Sequence, residues 1–415
     1  MQVANTCWLR RFYPKTSVPA APDDYPVNFR SVKDVYRWPN MFLEKAASCF
    51  GVKWVAQRLR RWKWELSTAF SGVGCAESAA ISLAAAAKAF LKKHLTSNVR
   101  GTNHVQLSFA CEIDGACQRV LRSTYGHCVF CDITKLNMTK NSSFCITHQK
   151  MCPIQHKLDD PTRPVCVDFS LMGQRKKQHG PSYATHKAFY DAVRKSNWSL
   201  VFIENVTEYQ EQLVQQELGK PWCILSCRLD PRVLGMGCAR ARVFMVAYRT
   251  DKLVWDAPFG LNELVECLRG RVVMTAKDYY YMDLPRVKLS DANERNLADY
   301  NSESRKLQFP DLNQYAKNGR GRGETVDNAL PTLTTTSGRL FSQAHHRFLH
   351  PDEMLASHAL PISKDQGKAC RAPTLELDKV PYTSKVHMAG NAINIPTIGS
   401  VMLAAALAFQ PVQKP

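Results

Sequence analysis

The sequence has no uninterrupted apolar run long enough to cross a bilayer. Its longest greasy stretch, Ala79 to Phe90, is short and contains Lys88. No membrane association is therefore expected. The polar, proline-rich sequence after Arg10 and Arg11 is unlike a secretory leader. An intracellular protein is expected, nuclear in a eukaryote and cytoplasmic in a bacterium or virus. Internal repeats are absent, which excludes a solenoid or propeller. Acidic residues are scarce: 36 Asp and Glu face 55 Lys and Arg, a net charge of +19. Such a balance disfavours a basic partner and favours a polyanion such as nucleic acid. The 15 cysteines are odd in number and scattered. They read as reduced thiols rather than a disulfide framework.

What is present is a chain of 415 residues, 45% hydrophobic, long enough for one large domain or two ordinary ones. Residues 1–64 read as a basic, Trp-rich N-terminal arm, with Arg58, Arg60, Arg61 and Lys63 in a helical stretch either touching phosphate or forming a solvated face. From Leu66 the texture alternates between strand and helix. Strands are expected at 66–70, 107–112, 128–131, 165–169, 200–203 and 242–247, and helices at 78–92, 117–124 and 183–195. That rhythm predicts an α/β fold with a mostly parallel sheet covered on both faces, with ligands at the carboxyl ends of its strands. Residues 65–250 form the first part of this domain. Residues 251–330, with Tyr279, Tyr280 and Tyr281 and the basic loop Lys317-Asn-Gly-Arg-Gly-Arg-Gly323, break the rhythm and read as a smaller inserted lobe. Residues 331–415 return to the main domain and end in a helix over 396–408.

Four constellations fall at predicted strand ends. Phe70-Ser-Gly-Val-Gly74 lies between a strand and a helix, where glycines let backbone approach a ligand. Glu112-Ile-Asp114 ends the next strand, and a carboxylate there can accept both hydroxyls of a ribose. Asp132 ends the third and can accept from an adenine amino group. This ordered set points to a nucleoside cofactor. Pro164-Val-Cys-Val-Asp-Phe-Ser-Leu-Met-Gly173 offers Cys166 as a nucleophile, against the alternative of a buried structural thiol. Ile203-Glu-Asn-Val206 offers Glu204 as a buried acid able to protonate a ring nitrogen, or else an ordinary strand-end residue. Arg240-Ala-Arg242 puts two arginines at i and i+2, able to grip a carbonyl oxygen or phosphate.

In this order the motifs resemble those of the cytosine-C5 DNA methyltransferases. The glycine loop is followed by Glu112, Asp132, Cys166, Glu204-Asn205-Val206 and Cys238-Ala-Arg240-Ala-Arg242. After the variable lobe, Pro331-Thr-Leu-Thr-Thr335 with Arg347-Phe-Leu-His-Pro-Asp-Glu353 is similar to the family's ninth motif, and Gly390-Asn-Ala-Ile-Asn-Ile-Pro396 to its tenth. The resemblance spans about residues 66–409. It implies a Rossmann-like S-adenosylmethionine-dependent methyltransferase fold with a target-recognition lobe at 251–330. It implies transfer of a methyl group from S-adenosylmethionine to carbon 5 of a flipped-out cytosine in duplex DNA. Cys166, Glu204, Arg240 and Arg242 would be catalytic. Phe70, Ser71, Gly72, Gly74, Glu112, Ile113, Asp132, Ile133 and Asn391 would hold the cofactor. Asn205, Ser170, Gln174, Arg175 and Lys176 would contact substrate. The sequence departs from the family in having Val165 and Val167 beside the nucleophile, where Pro and Gln are usual. Cys238 stands where Gln is usual, and Thr68 where an acid often precedes the glycine loop.

Two other functions fit the same motifs. One is an RNA cytosine-5 methyltransferase of the tRNA type, whose usual Cys-Phe-Thr tripeptide is missing between Val206 and Arg240. The other is a catalytically silent DNA-binding protein. Separately, Cys145, His148, Cys152 and His156 have metal-ligand identities at close spacing. The default expectation there is a solvated insertion without metal.

Overall fold

The computed structural model describes residues 23–95, 104–154, 164–168, 182–303, 306–318 and 322–413. Its centre is a seven-stranded sheet. In chain order the strands are β1 (Trp64–Ala69), β2 (Val105–Cys111), β3 (Cys128–Phe130), then a separate hairpin of β4 (Ser142–Cys145) and β5 (Lys150–Pro153), and then β6 (Pro164–Asp168), β7 (Leu200–Asn205), β8 (Trp222–Leu229) and β9 (Arg242–Arg249). The sheet order is β3-β2-β1-β6-β7-β9-β8. The first five run parallel; β9 is antiparallel to β7 and to β8. This is the doubly wound order 3-2-1-4-5-6 with one reversed strand inserted between the last two positions. β7 reads Leu-Val-Phe-Ile and is buried throughout, as a strand covered on both faces must be.

The six strands expected from sequence all form, within two residues at each end. β8 was not foreseen. It lies at the sheet edge, and its side chains are mostly only partly buried, so it carries neither a clean alternation nor a continuous apolar run.

The main core lies between the sheet and a helical layer. The helix Ile395–Ala408 is buried along its whole length and packs on the Ala-rich helix Cys75–His94. Taken together with the preceding helix, Tyr382–Ala408 is long and apolar enough to qualify as a membrane span, yet 94% of that window is buried inside the protein. It is a core element. The described residues before 64, from Phe29 to Trp62, join the same core, where an arm was expected. The helices Trp38–Phe50 and Val52–Arg61 pack on Cys75–His94, burying Trp38, Phe42, Val55 and Leu59. Gly399 makes this docking possible: a Cβ there would lie 2.2 Å from the Trp38 ring. Arg58, expected to face phosphate or solvent, is ion-paired to Asp256 at 2.7 Å and lies 5.3 Å from the Trp54 ring centre. Arg60, Arg61 and Lys63 are exposed.

The boundary expected at 251 also moves. Leu253–Trp255 pairs with the C-terminal Phe409–Pro411, and Leu261, Leu264, Met274, Tyr279 and Tyr280 belong to the main core. A separate small cluster forms only later, from Leu289, Tyr300, Leu307, Leu312, Ala316 and Phe341. The lobe with a core of its own therefore spans roughly residues 287–348. It is clamped to the main domain by a buried pair. Arg347 meets Glu353 at 2.7 and 2.8 Å, both nearly inaccessible, and each also bonds the Met282 backbone.

Candidate active site

The strand order sets out the site along one edge of the sheet. From β3 to β9 that edge carries Asp132, then Glu112, then the glycine loop, then the end of β6, then Glu204 with Asn205, and finally Arg242. The order reverses between β1 and β6, the point at which open α/β sheets form their ligand crevice. Because β9 runs antiparallel, its first residues lie beside the last of β7, with Asn205 opposite Val243 and Glu204 opposite Phe244. Arg242 therefore reaches the same edge as Glu204.

The side expected to hold the cofactor is built around Glu112. Its two oxygens accept the backbone N–H of Gly72 at 2.7 Å and of Asp114 at 2.8 Å, which fixes the carboxylate beneath the glycine loop. Burial pushes its pKa up, opposed by these hydrogen bonds. Each oxygen retains acceptor capacity for a ribose hydroxyl. Phe70, Gly72 and Gly74 all take positive φ, and the space around a Cβ at Gly72 is open. At Gly74 a Cβ would strike the Tyr125 ring at 2.5 Å, so glycine is required there. Ser71 bonds both ways with the Cys111 backbone, its N–H and hydroxyl reaching Cys111 O at 3.2 and 3.3 Å. Ile113 is 75% exposed, a bare apolar face next to Glu112, whereas Ile133 is buried. Asp132 caps a short turn by accepting from Thr134 N, leaving Oδ2 with Lys135 at 3.8 Å. These features fit S-adenosylmethionine: a ribose acid, an uncovered apolar side chain for the adenine face, and backbone without side chains at the loop. Asn391 ends the helix Tyr382–Asn391 and bonds His387 at 3.0 Å.

The usual acid before the loop is Thr68 in this chain, and the fold supplies a carboxylate by another route. Glu77, from the following helix, accepts a hydrogen bond from the Thr68 hydroxyl and is 1% exposed. Burial lifts its pKa from 4.5 to about 7. Raised above its unfolded value, it leaves the folded state intact at low pH and penalises it as pH climbs from about 4.5 to 7. The penalty amounts to about 3 kcal/mol above that window. His127, 4.0 Å away, is depressed to about 4 by burial and acts in the opposite range, costing stability as pH falls below 6.5. Glu77→Gln is expected to reduce the loss of stability between pH 5 and pH 8, while His127 affects both proteins alike. Urea midpoints at the two pH values check this, and equal losses in the two proteins would remove the assignment.

The base side is built around Glu204. It is fully buried, and neither oxygen accepts a hydrogen bond from a described residue. Arg242 Nε lies 3.0 Å from Oε1 as its ion-pair partner. The Asn205 side chain accepts from Val206 N at 2.8 Å, while its amide nitrogen has no partner among the described residues. A buried carboxylate and a buried amide, adjacent and incompletely bonded, are costly unless a ligand completes them. Cys166 sits at the middle of β6, opposite Thr68 of β1 and Phe202 of β7, and Asp168 is opposite Glu204. It lies two residues inside the strand rather than leaving it. Ser170, Gln174, Arg175 and Lys176 lie outside the described residues. Among rival thiols, burial raises Cys111, Cys117, Cys227 and Cys238 well above the normal range, Cys238 to about 12.

The two arginines do not share a direction. Arg240 precedes β9, is 2% exposed, and donates to the carbonyls of Gly390 at 3.2 Å and Leu333 at 3.5 Å. It joins the segments resembling the ninth and tenth motifs to the sheet. Gly390 must be glycine for that approach, since a Cβ would lie 2.2 Å from Thr335 N. His358, missed in the sequence, packs beside both arginines; burial and their charge push its pKa well below 6.5, so it is neutral. Its signal was weak, a lone histidine at a helix end.

No family model matches the sequence, and no curated protein matches it. Solved structures do. The Entamoeba histolytica methyltransferase EhMeth aligns over 83% of this chain and 98% of its own, with TM-score 0.52 and 12% identity. The S. pombe Dnmt2 methyltransferase aligns over 83% and 97%, with TM-score 0.51 and 12% identity. A putative DNA modification methyltransferase encoded within an E. coli prophage aligns over 82% and 98%, with TM-score 0.51 and 14% identity. The chain has the methyltransferase fold. Within that fold, the edge from Asp132 to Arg242 is where cofactor and substrate would meet.

Proposed function

We propose that this protein is a DNA cytosine-5 methyltransferase using S-adenosylmethionine. The observation that carries the reading is Glu204, on the strand beside the one bearing Cys166: a fully buried carboxyl, without a hydrogen bond from any described residue, paired with Arg242. An amidine-like ring edge, as in cytosine, satisfies such a carboxyl. Bound against Glu112, Ile113 and Asp132, S-adenosylmethionine would supply an electrophilic methyl group. The Cys166 thiolate would add to carbon 6 of cytosine while Glu204 gives a proton to ring nitrogen 3, making carbon 5 nucleophilic. Methyl transfer to carbon 5 would release S-adenosylhomocysteine; a base would then take the carbon-5 proton as the thiolate leaves, and ring nitrogen 3 would return its proton to Glu204, restoring the ring. Arg242 would hold Glu204 and the base's carbonyl oxygen; Arg240 positions the loops. Adding a thiol to a ring face requires the base to leave the stack, and the excess positive charge supports duplex binding.

Purified protein incubated with labelled S-adenosylmethionine and duplex DNA should transfer label, and Cys166→Ser should not. Label transfer equal in both proteins would refute the mechanism. A tRNA substrate in a parallel reaction separates DNA from RNA, and label on tRNA alone would reassign the substrate.

A further inference from the structure

The β4–β5 hairpin carries a cluster that the proposed reaction does not use. Cys145 ends β4, His148 lies in the turn, Cys152 is in β5, and Cys128 opens β3. His148 Nδ1 lies 3.4 Å from Cys128 Sγ, 3.4 Å from Cys145 Sγ and 3.5 Å from Cys152 Sγ. All four ligand atoms fall within 4.8 Å of one another. One imidazole nitrogen cannot form a directed hydrogen bond to three sulfurs at once. A tetrahedral ion can hold all four. Zinc bonds of about 2.3 Å to sulfur and about 2.0–2.1 Å to nitrogen imply N···S edges of about 3.5–3.6 Å, close to those found.

We propose that Cys128, Cys145, His148 and Cys152 bind one zinc ion as a closed structural site. Three thiolates and an imidazole suit zinc, and four protein ligands leave no open position for catalysis. The hairpin itself argues for a staple. Its strands are four residues each, and a two-stranded hairpin is marginal in water. Phe144 and Met151, directly paired, are 51% and 59% exposed and add little burial. The inward positions are Ser143, Cys145 and Cys152. Cys145 pairs with Lys150 and Cys152 with Ser143 in the ladder, while Ile146 N donates to Val129 O at 2.9 Å, bringing the hairpin against β3. The ion would lock that contact, holding the insertion to the strand that ends next to Asp132.

Sequence spacing grouped three of these ligands with His156. The fold supplies Cys128 from β3 instead, and His156 lies outside the described residues.

Full-length protein purified without chelator or immobilised metal should contain about one zinc per chain by mass spectrometry of the elements. Cys145→Ser and Cys152→Ser should each retain less than about one-tenth of that. The exposed His148→Ala should fold and bind zinc at least tenfold more weakly in competition with a chromophoric chelator. His148→Cys should restore binding, and Cys223→Ser should be unaffected. Cobalt substituted for zinc should give the intense visible bands of a tetrahedral thiolate site. Less than about one-tenth equivalent after reconstitution with zinc alone, a disulfide among the three cysteines, or unchanged affinity in His148→Ala would overturn the proposal. Metal content is read without any methyl-transfer assay, so this site and the proposed activity stand or fall separately.

Discussion

Glu204→Gln is expected to lower methyl transfer by about 10²- to 10⁴-fold, the usual contribution of a positioned acid. That is about 3–5 kcal/mol of transition-state stabilisation. The substitution keeps shape and an oxygen that can accept from Arg242 Nε, now 3.0 Å from Oε1. It removes only the proton that the ring nitrogen requires. The loss should therefore appear in kcat, with the KM for S-adenosylmethionine and the thermal midpoint little changed, because the groups proposed to hold the cofactor follow β1, β2 and β3, across β6 from this strand. A purely structural Glu204 gives the opposite pattern, with a lower midpoint and activity falling only with the folded fraction. Activity within tenfold of the parent would remove Glu204 from the chemistry.

Glu353→Ala is expected to destabilise the protein by about 3–5 kcal/mol, because it strands the Arg347 guanidinium in a buried site. Against a typical total of about 5–15 kcal/mol this is a large share. The carboxylate accepts two Arg347 bonds, Met282 N and His350 N, so the variant also uncaps the helix Pro351–Ser357 and releases the segment leading into the 287–348 lobe. Replacing both partners, Arg347→Met with Glu353→Leu, should recover much of the loss by leaving no lone charge. Urea unfolding of the two variants checks this. A loss below about 1 kcal/mol in the single variant would show that the pair is not the clamp.

Where sequence and structure agree, the cause is local. β7 was legible because Leu-Val-Phe-Ile is short, apolar and rich in strand-favouring residues, as a doubly covered strand is. Phe70-Ser-Gly-Val-Gly74 was legible because its left-handed backbone and the Tyr125 contact at Gly74 need glycine. Glu112 follows β2 directly and Asp132 follows β3 after one residue, so their place at the carboxyl edge was implied by the alternation. Where the two differ, the deciding contact is distant. The N-terminal helices read as an arm because nothing near Trp38 in the sequence shows that Gly399 leaves room for its ring. Tyr279 and Tyr280 read as part of a recognition lobe, but the main core buries them. Arg240 and Arg242 read as a matched pair. Asp230, Leu333 and Gly390 draw the first into a structural role, and the reversed β9 brings the second to Glu204.

The alternation of strand and helix, the parallel sheet and the residue types at its carboxyl edge are thus written in the local order of residues, since each depends on neighbours within a few positions. Which of those residues meet is set by how the elements pack. Glu77 beside Thr68, Cys128 beside the hairpin thiols and Arg242 beside Glu204 each join elements that the chain order separates. Packing of buried, charged or thiol side chains selects such partners by proximity in the sheet and core, a quantity that spacing along the chain does not contain.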